Sequence, residues 1–367
     1  MLKYPFFLYG QRYTAATGES LLAGYKRQGL AYLYTFLGIN ILTGIINTAG
    51  VAMLSGTLFA GYGFDGSKIP AFTIGILLIC AAVILLGHYK LLDKSAKVIV
   101  VLLSLSTLVA LGLAFTHGSV ASADFVGSSA WTWQAFPFLV LLLGWMPAPI
   151  DLSAWSSLWM FSREEETGHF ATTRETSIDF YLGYVMAAVM AVAFFALGKL
   201  IMFGSGEELA SGGIGFSTQL VNLYSANIGE WSKPLILTAA FSTMFSTTMT
   251  CIDGYPRSLA ASCTLVHDNF TNHFKPIFKV WIVLSVVASC LIVLYFVDNL
   301  LQLLSFAAVV SFITSPVLAY INYKVMNGSN VPIEERPGPL LKLMSWAGIL
   351  FFVLMTVGFI YVTFIRV

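Results

Sequence analysis

The segment Phe136–Ser162, FPFLVLLLGWMPAPIDLSAWSSLWMFS, is long enough to cross a bilayer, for which about 20 mostly apolar residues suffice. Its middle, however, reads Gly144-Trp145-Met146-Pro147-Ala148-Pro149-Ile150-Asp151. Two prolines one residue apart remove two backbone donors and clash with the preceding turn, so a continuous helix is not expected to pass. Inside a membrane, backbone freed in this way is tolerated only where it is buried in protein or lines a cavity. Secondary carriers bind substrate and ions at such interruptions. The spacing therefore predicts two half-helices, 136–146 and 151–162, flanking a binding site.

The rest of the chain fits that setting. Of its 367 residues, 57% are hydrophobic and 10% charged, with a mean hydropathy of +0.82. That composition places it among all-α polytopic membrane proteins. A net charge of +1 suggests no nucleic-acid partner. The four cysteines (Cys80, Cys251, Cys263, Cys290) have no paired spacing, and the histidines (His88, His117, His169, His267, His273) fall in loops or at helix ends. Neither set has metal-ligand spacing, so no cofactor is expected. Membrane enzymes cluster His, Asp or Ser-Lys pairs within their spans; these spans do not, and no enzyme is expected.

Apolar runs predict spans at 30–60, 71–89, 96–116, 136–162, 178–203, 233–252, 276–297, 300–322 and 342–365, after a helix tail in 1–16 that ends near Gly10 or Gly18. Residues 216–228 read as an interfacial helix. Alternation puts loops 11–29, 88–97, 162–177, 253–276 and 323–342 on one side with fourteen Lys and Arg, against Lys68, Lys199, Lys233 and Arg366 on the other; Lys3 goes uncounted in the partial helix. The richer side is read as cytoplasmic and the C-terminus as outside, in a bacterial-type plasma membrane. An inverted-repeat carrier needs a second broken helix before residue 116. None is found: Gly38, Gly44, Gly50 and Gly56 loosen the first full span, but it has no proline.

Within the break, Met146 is read either as a soft thioether ligand or as packing beside a kink. Asp151 is either the N-cap of the second half-helix or a cation contact. The carbonyls of Leu143 and Gly144 lose their helical partners ahead of Pro147 and suit a cation. Asn40, Thr43 and Asn47 form one polar stripe, lining a water path or bonding helices together. Ser242, Thr243, Ser246, Thr247, Thr248 and Thr250 admit the same two readings. Asp253 and Arg257 flank a Gly-Tyr-Pro turn, and Trp155 and Trp159 suit packing or the interface.

Several motifs resemble the Nramp (natural resistance-associated macrophage protein) divalent metal transporters. Lys3-Tyr4-Pro5-Phe6-Phe7, Gly10, Arg12-Tyr13, Thr17-Gly18-Glu19-Ser20 and Gly24-Tyr25 resemble that family's second helix and following loop. Met146-Pro147 resembles its broken sixth helix, where Met-Pro-His is usual; Ser246-Thr247-Thr248 with Gly254, and Pro316, are similar to its eighth and tenth helices. The resemblance implies an eleven-helix, LeuT-type inverted-repeat fold lacking its first helix and half its second. Residues 1–116 would be a partial first repeat, 136–322 the second repeat and 342–365 an extra helix. It implies transport of a divalent ion such as Mn or Fe by alternating access. Ala148 stands where the family has histidine, Asn47, Thr48 and Ala49 where acidic residues are typical, and Ala308 where glutamine is usual. Proton coupling of the usual kind is therefore not expected. Two alternatives remain: a LeuT-type carrier of an organic solute such as an amino acid, or an inactive truncated copy with weak or no transport.

Overall fold

The computed structural model describes residues 2–87, 89–122, 124–127, 129, 131–206, 210, 213–267, 273–296 and 299–365. His88 and Arg366 lie outside them. Among the described residues fourteen α-helices follow one another: α1 Tyr4–Thr17, α2 Leu21–Gln28, α3 Leu30–Ala60, α4 Ile69–Leu86, α5 Tyr89–His117, α6 Phe136–Trp145, α7 Ser153–Thr167, α8 Thr173–Ile201, α9 Gly213–Ile228, α10 Lys233–Val266, α11 Phe274–Tyr295, α12 Leu300–Ile313, α13 Ser315–Met326 and α14 Pro339–Ile360. Among the described residues, eight helical stretches are long and apolar enough to cross a membrane. The run predicted at 96–116 falls within α5, whose described apolar part, Ser104–His117, is shorter. The protein is an integral, multi-pass membrane protein whose outer surface meets lipid.

Burial follows the layout of such a bundle. Helix α3 lies at its centre, packed against α10, α4, α11 and α12. Helix α8 lies at the edge: Leu182, Val185, Val189, Val192 and Phe195 are exposed at helical spacing. In water that stripe would drive aggregation; in lipid it is the ordinary outer face of a span. Helix α8 starts with a capping box, in which Thr172 and Glu175 satisfy each other's backbone amides.

Of four local expectations, one is settled between its two alternatives, two are corrected and one is extended. The partial helix ends at Gly18, whose φ of 69° suits a glycine C-cap, and not at Gly10. Gly10 instead lets two helices touch, since a Cβ there would lie 2.2 Å from the Ser153 carbonyl oxygen. The glycines of α3 do not loosen it: α3 is continuous, Gly44 receives the Tyr255 ring and Gly56 the hydroxyl and backbone of Thr73. Gly254-Tyr255-Pro256 is no turn, because α10 runs through Pro256 to Val266. Helix α9 covers 213–228 and packs Val221, Leu223 and Tyr224 against Leu58, Ala110 and Leu197 of the bundle.

Candidate functional site

The predicted interruption is present. Helix α6 stops at Trp145, Met146 turns extended (φ −102°, ψ 120°), and the Met146–Pro147 bond is cis. A short 3-10 turn, Ile150–Leu152, leads into α7. The half-helices thus run 136–145 and 153–167, with the break at 146–152. Gly144 is the residue that lets α6 seat at this depth: a Cβ on it would lie 2.1 Å from the Ala308 carbonyl oxygen of α12.

Asp151 is buried, 1% exposed, yet it does not cap. Neither the 3-10 turn nor α7 has a side-chain cap. Its Oδ2 instead accepts from Thr43 Oγ1 of α3 at 2.7 Å. Thr43 Oγ1 also lies 2.9 Å from the Ile39 carbonyl, so its single proton serves one acceptor at a time. The other carboxylate oxygen, Oδ1, is buried without a hydrogen-bond partner among the described residues. Of the two sequence-based readings, capping is overturned, and the carboxylate joins the polar stripe of α3.

That stripe is tied to three other helices. Asn47 Nδ2 donates to the Tyr255 hydroxyl (2.7 Å, α10) and to Ser311 Oγ (3.2 Å, α12). Its Oδ1 lies 3.2 Å from both Trp145 Nε1 at the end of α6 and Ser311 Oγ. Asn40 Nδ2 donates to Ser258 Oγ at 2.8 Å, while its Oδ1 is buried without a partner among the described residues. Trp155 Nε1, also buried and unpartnered, belongs to an indole packed edge-on against Tyr255 with centroids 4.6 Å apart. Buried polar atoms are nearly always satisfied, so these unpartnered atoms mark spare bonding capacity. The helix-bonding reading accounts for Asn47; Asn40 and Asp151 retain free oxygens.

The sequence reading missed one residue at the centre of the break. Lys3, at the N-cap of α1, is 4% exposed. Its Nζ donates to the Gly144 carbonyl at 2.8 Å and to the Ala148 carbonyl at 2.7 Å. An ionisable side chain inside a membrane signals function by default, and that rule, applied to Lys3, would have found it. Of the predicted ligands, Gly144 therefore offers its carbonyl, though to a lysine, and Leu143 packs half-buried against the apolar core. Met146 is 37% exposed.

Below this cluster lies a second one. Asp253 and Arg257, one turn apart on α10, form an ion pair (Nη2–Oδ1 2.6 Å), and Trp159 Nε1 donates to Asp253 Oδ2 at 2.8 Å. Arg257 also reaches Ser162 Oγ at 3.1 Å and lines a cavity of about 510 Å³ with Ser20, Phe161, Glu165 and Lys275. The hydroxyl run of α10 mostly bonds back to its own helix, as Thr243, Thr247 and Thr250 do. Among the described residues, no three His, Cys, Asp or Glu side chains gather as metal ligands.

No family model matches the chain. The uncharacterized protein PM0681 of Pasteurella multocida (strain Pm70) is 35% identical over 365 residues, which cover 98% of this chain and 82% of that protein.

Proposed function

The chain belongs to the family of this Pasteurella multocida protein, and from its apolar helical bundle and opened span we propose that it is a secondary transporter working by alternating access. The observation that carries the reading is the break at 146–152, where the Gly144 carbonyl takes a buried amine and the Asp151 carboxylate bonds the polar stripe of α3. Opened spans of this kind bind cargo at mid-membrane in inverted-repeat carriers. On the Nramp resemblance, we assign a LeuT-type architecture with 1–116 as partial first repeat, 136–322 as second repeat and 342–365 as an added helix. The cargo is then a divalent ion such as Mn²⁺ or Fe²⁺, met by the Gly144 carbonyl, Asp151 and Met146, without the usual proton coupling. The membrane is a bacterial-type plasma membrane and the C-terminus lies outside.

One observation favours a second cargo. The Gly144 and Ala148 carbonyls already receive an amine, and one lysine balances the single carboxylate. A site of zero net charge suits a small zwitterion such as an amino acid better than a dication. Uptake into proteoliposomes separates the two. Mn²⁺ uptake above protein-free vesicles that falls in both Asp151→Asn and Met146→Ala supports the metal. Amino-acid uptake indifferent to Met146→Ala supports the organic solute. Uptake of neither, from a panel of divalent ions and amino acids, sinks the transporter reading.

A further inference from the structure

We propose that Lys3 is a tethered cation, built into the break at the position where a free cation would otherwise bind. Three observations meet there. The amine lies 2.8 and 2.7 Å from two carbonyls, one on each side of Pro147, a separation typical of charged donors. The lysine is 4% exposed, so no water shell competes for those bonds. Asp151, the charged group near it, has one oxygen paired to Thr43 and one with no partner among the described residues.

Two carbonyl oxygens, with a buried carboxylate in the same break to balance the charge, suit a small hard cation. The amine already holds the two carbonyls, so a diffusible ion must displace it or go elsewhere. The native protein therefore needs no dissolved cation to hold the break in shape. Removing the side chain leaves a vacancy with the same donors. That vacancy accepts Na⁺, or methylammonium, which restores both the charge and the terminal carbon of the lost side chain.

The inference rests on reading 146–152 as the binding segment, but its test reads stability and not transport, so the two fail separately. Purified full-length protein, wild type and Lys3→Ala, is unfolded thermally in detergent with NaCl, methylammonium chloride or choline chloride at matched ionic strength. Lys3→Ala should show a saturable rise in unfolding midpoint with methylammonium or Na⁺ over choline, and wild type none. Adding Asp151→Asn to Lys3→Ala should abolish the rise. An equal rise in wild type, or none in Lys3→Ala, overturns the proposal. Should Lys3→Ala not fold, reductive methylation of the native protein, read by mass spectrometry, decides. Lys3 should stay unmodified while exposed Lys68 is fully methylated; equal modification of both overturns it.

Discussion

Two prolines lie within spans of this molecule and act in opposite ways. At Pro147 the helix ends, the chain extends, and a second helix starts at Ser153. At Pro256 nothing stops: α10 continues for ten further residues to Val266. Each site also has a basic residue and an aspartate nearby. In α10 they lie one turn apart on the same helix, Asp253 11% and Arg257 21% exposed at the side chain. At the break they come from different parts of the chain, and both are buried to within 4% of full exclusion. A single proline leaves one carbonyl, that of Ile252, without its amide, a loss the surrounding helix tolerates. A second proline frees more backbone than the local helix can satisfy, and a distant amine takes it up. Proline by itself thus does not open a span; proline with an outside partner does.

The largest test of this contrast is the pair of aspartates. Asp151→Ala strands a buried lysine and Thr43, and removing one partner of a buried charge arrangement costs about 3–5 kcal/mol. Asp253→Ala frees a cation with access to the adjoining cavity and should cost about 1 kcal/mol. Unfolding midpoints of the two variants measure the difference, and equal losses would erase the distinction between the sites. Next come the glycines. Gly144→Ala drives a methyl into the Ala308 carbonyl and should cost about 3 kcal/mol or more by overpacking. Gly38→Ala on α3, with nothing within 4 Å, should instead stabilise by about 0.5–1 kcal/mol. Asn47→Ala removes bonds to Tyr255, Ser311 and Trp145, and at about 0.6 kcal/mol per intramembrane hydrogen bond the loss is about 2 kcal/mol. Smallest is Pro256→Ala, which should leave α10 and any uptake unchanged and shift stability by less than about 1 kcal/mol. A loss of uptake matching that of Pro147→Ala would make the two prolines equivalent.

The membrane class and the break were legible because each is local: one is composition, the other is the covalent geometry of Pro147 and Pro149. Asp151 was singled out as a buried ionisable residue, but local logic made it a cap. Its real partner, Thr43, lies 108 positions away and was read only as part of a stripe. Lys3 escaped for the same reason, its acceptors being 141 and 145 positions distant. Gly254-Tyr255-Pro256 misled in the other direction. Those residues make turns in water, whereas inside a bundle the cost of unpaired backbone keeps the helix going.

The small residues at the half-helix ends have a mechanical consequence. Gly144 presses α6 onto α12, and Gly10 presses α7 onto α1, each at near backbone-to-backbone range. The two halves of one crossing are therefore welded to different neighbours. The same division recurs where α12 gives way to α13 at Thr314, because α13 packs against α1 and α2. The interruptions at 146–150 and at Thr314 thus divide α6 and α12 on one side from α1, α7 and α13 on the other. Lys3, anchored on one side and bonded to the Gly144 carbonyl of the other, is a dowel driven across that joint.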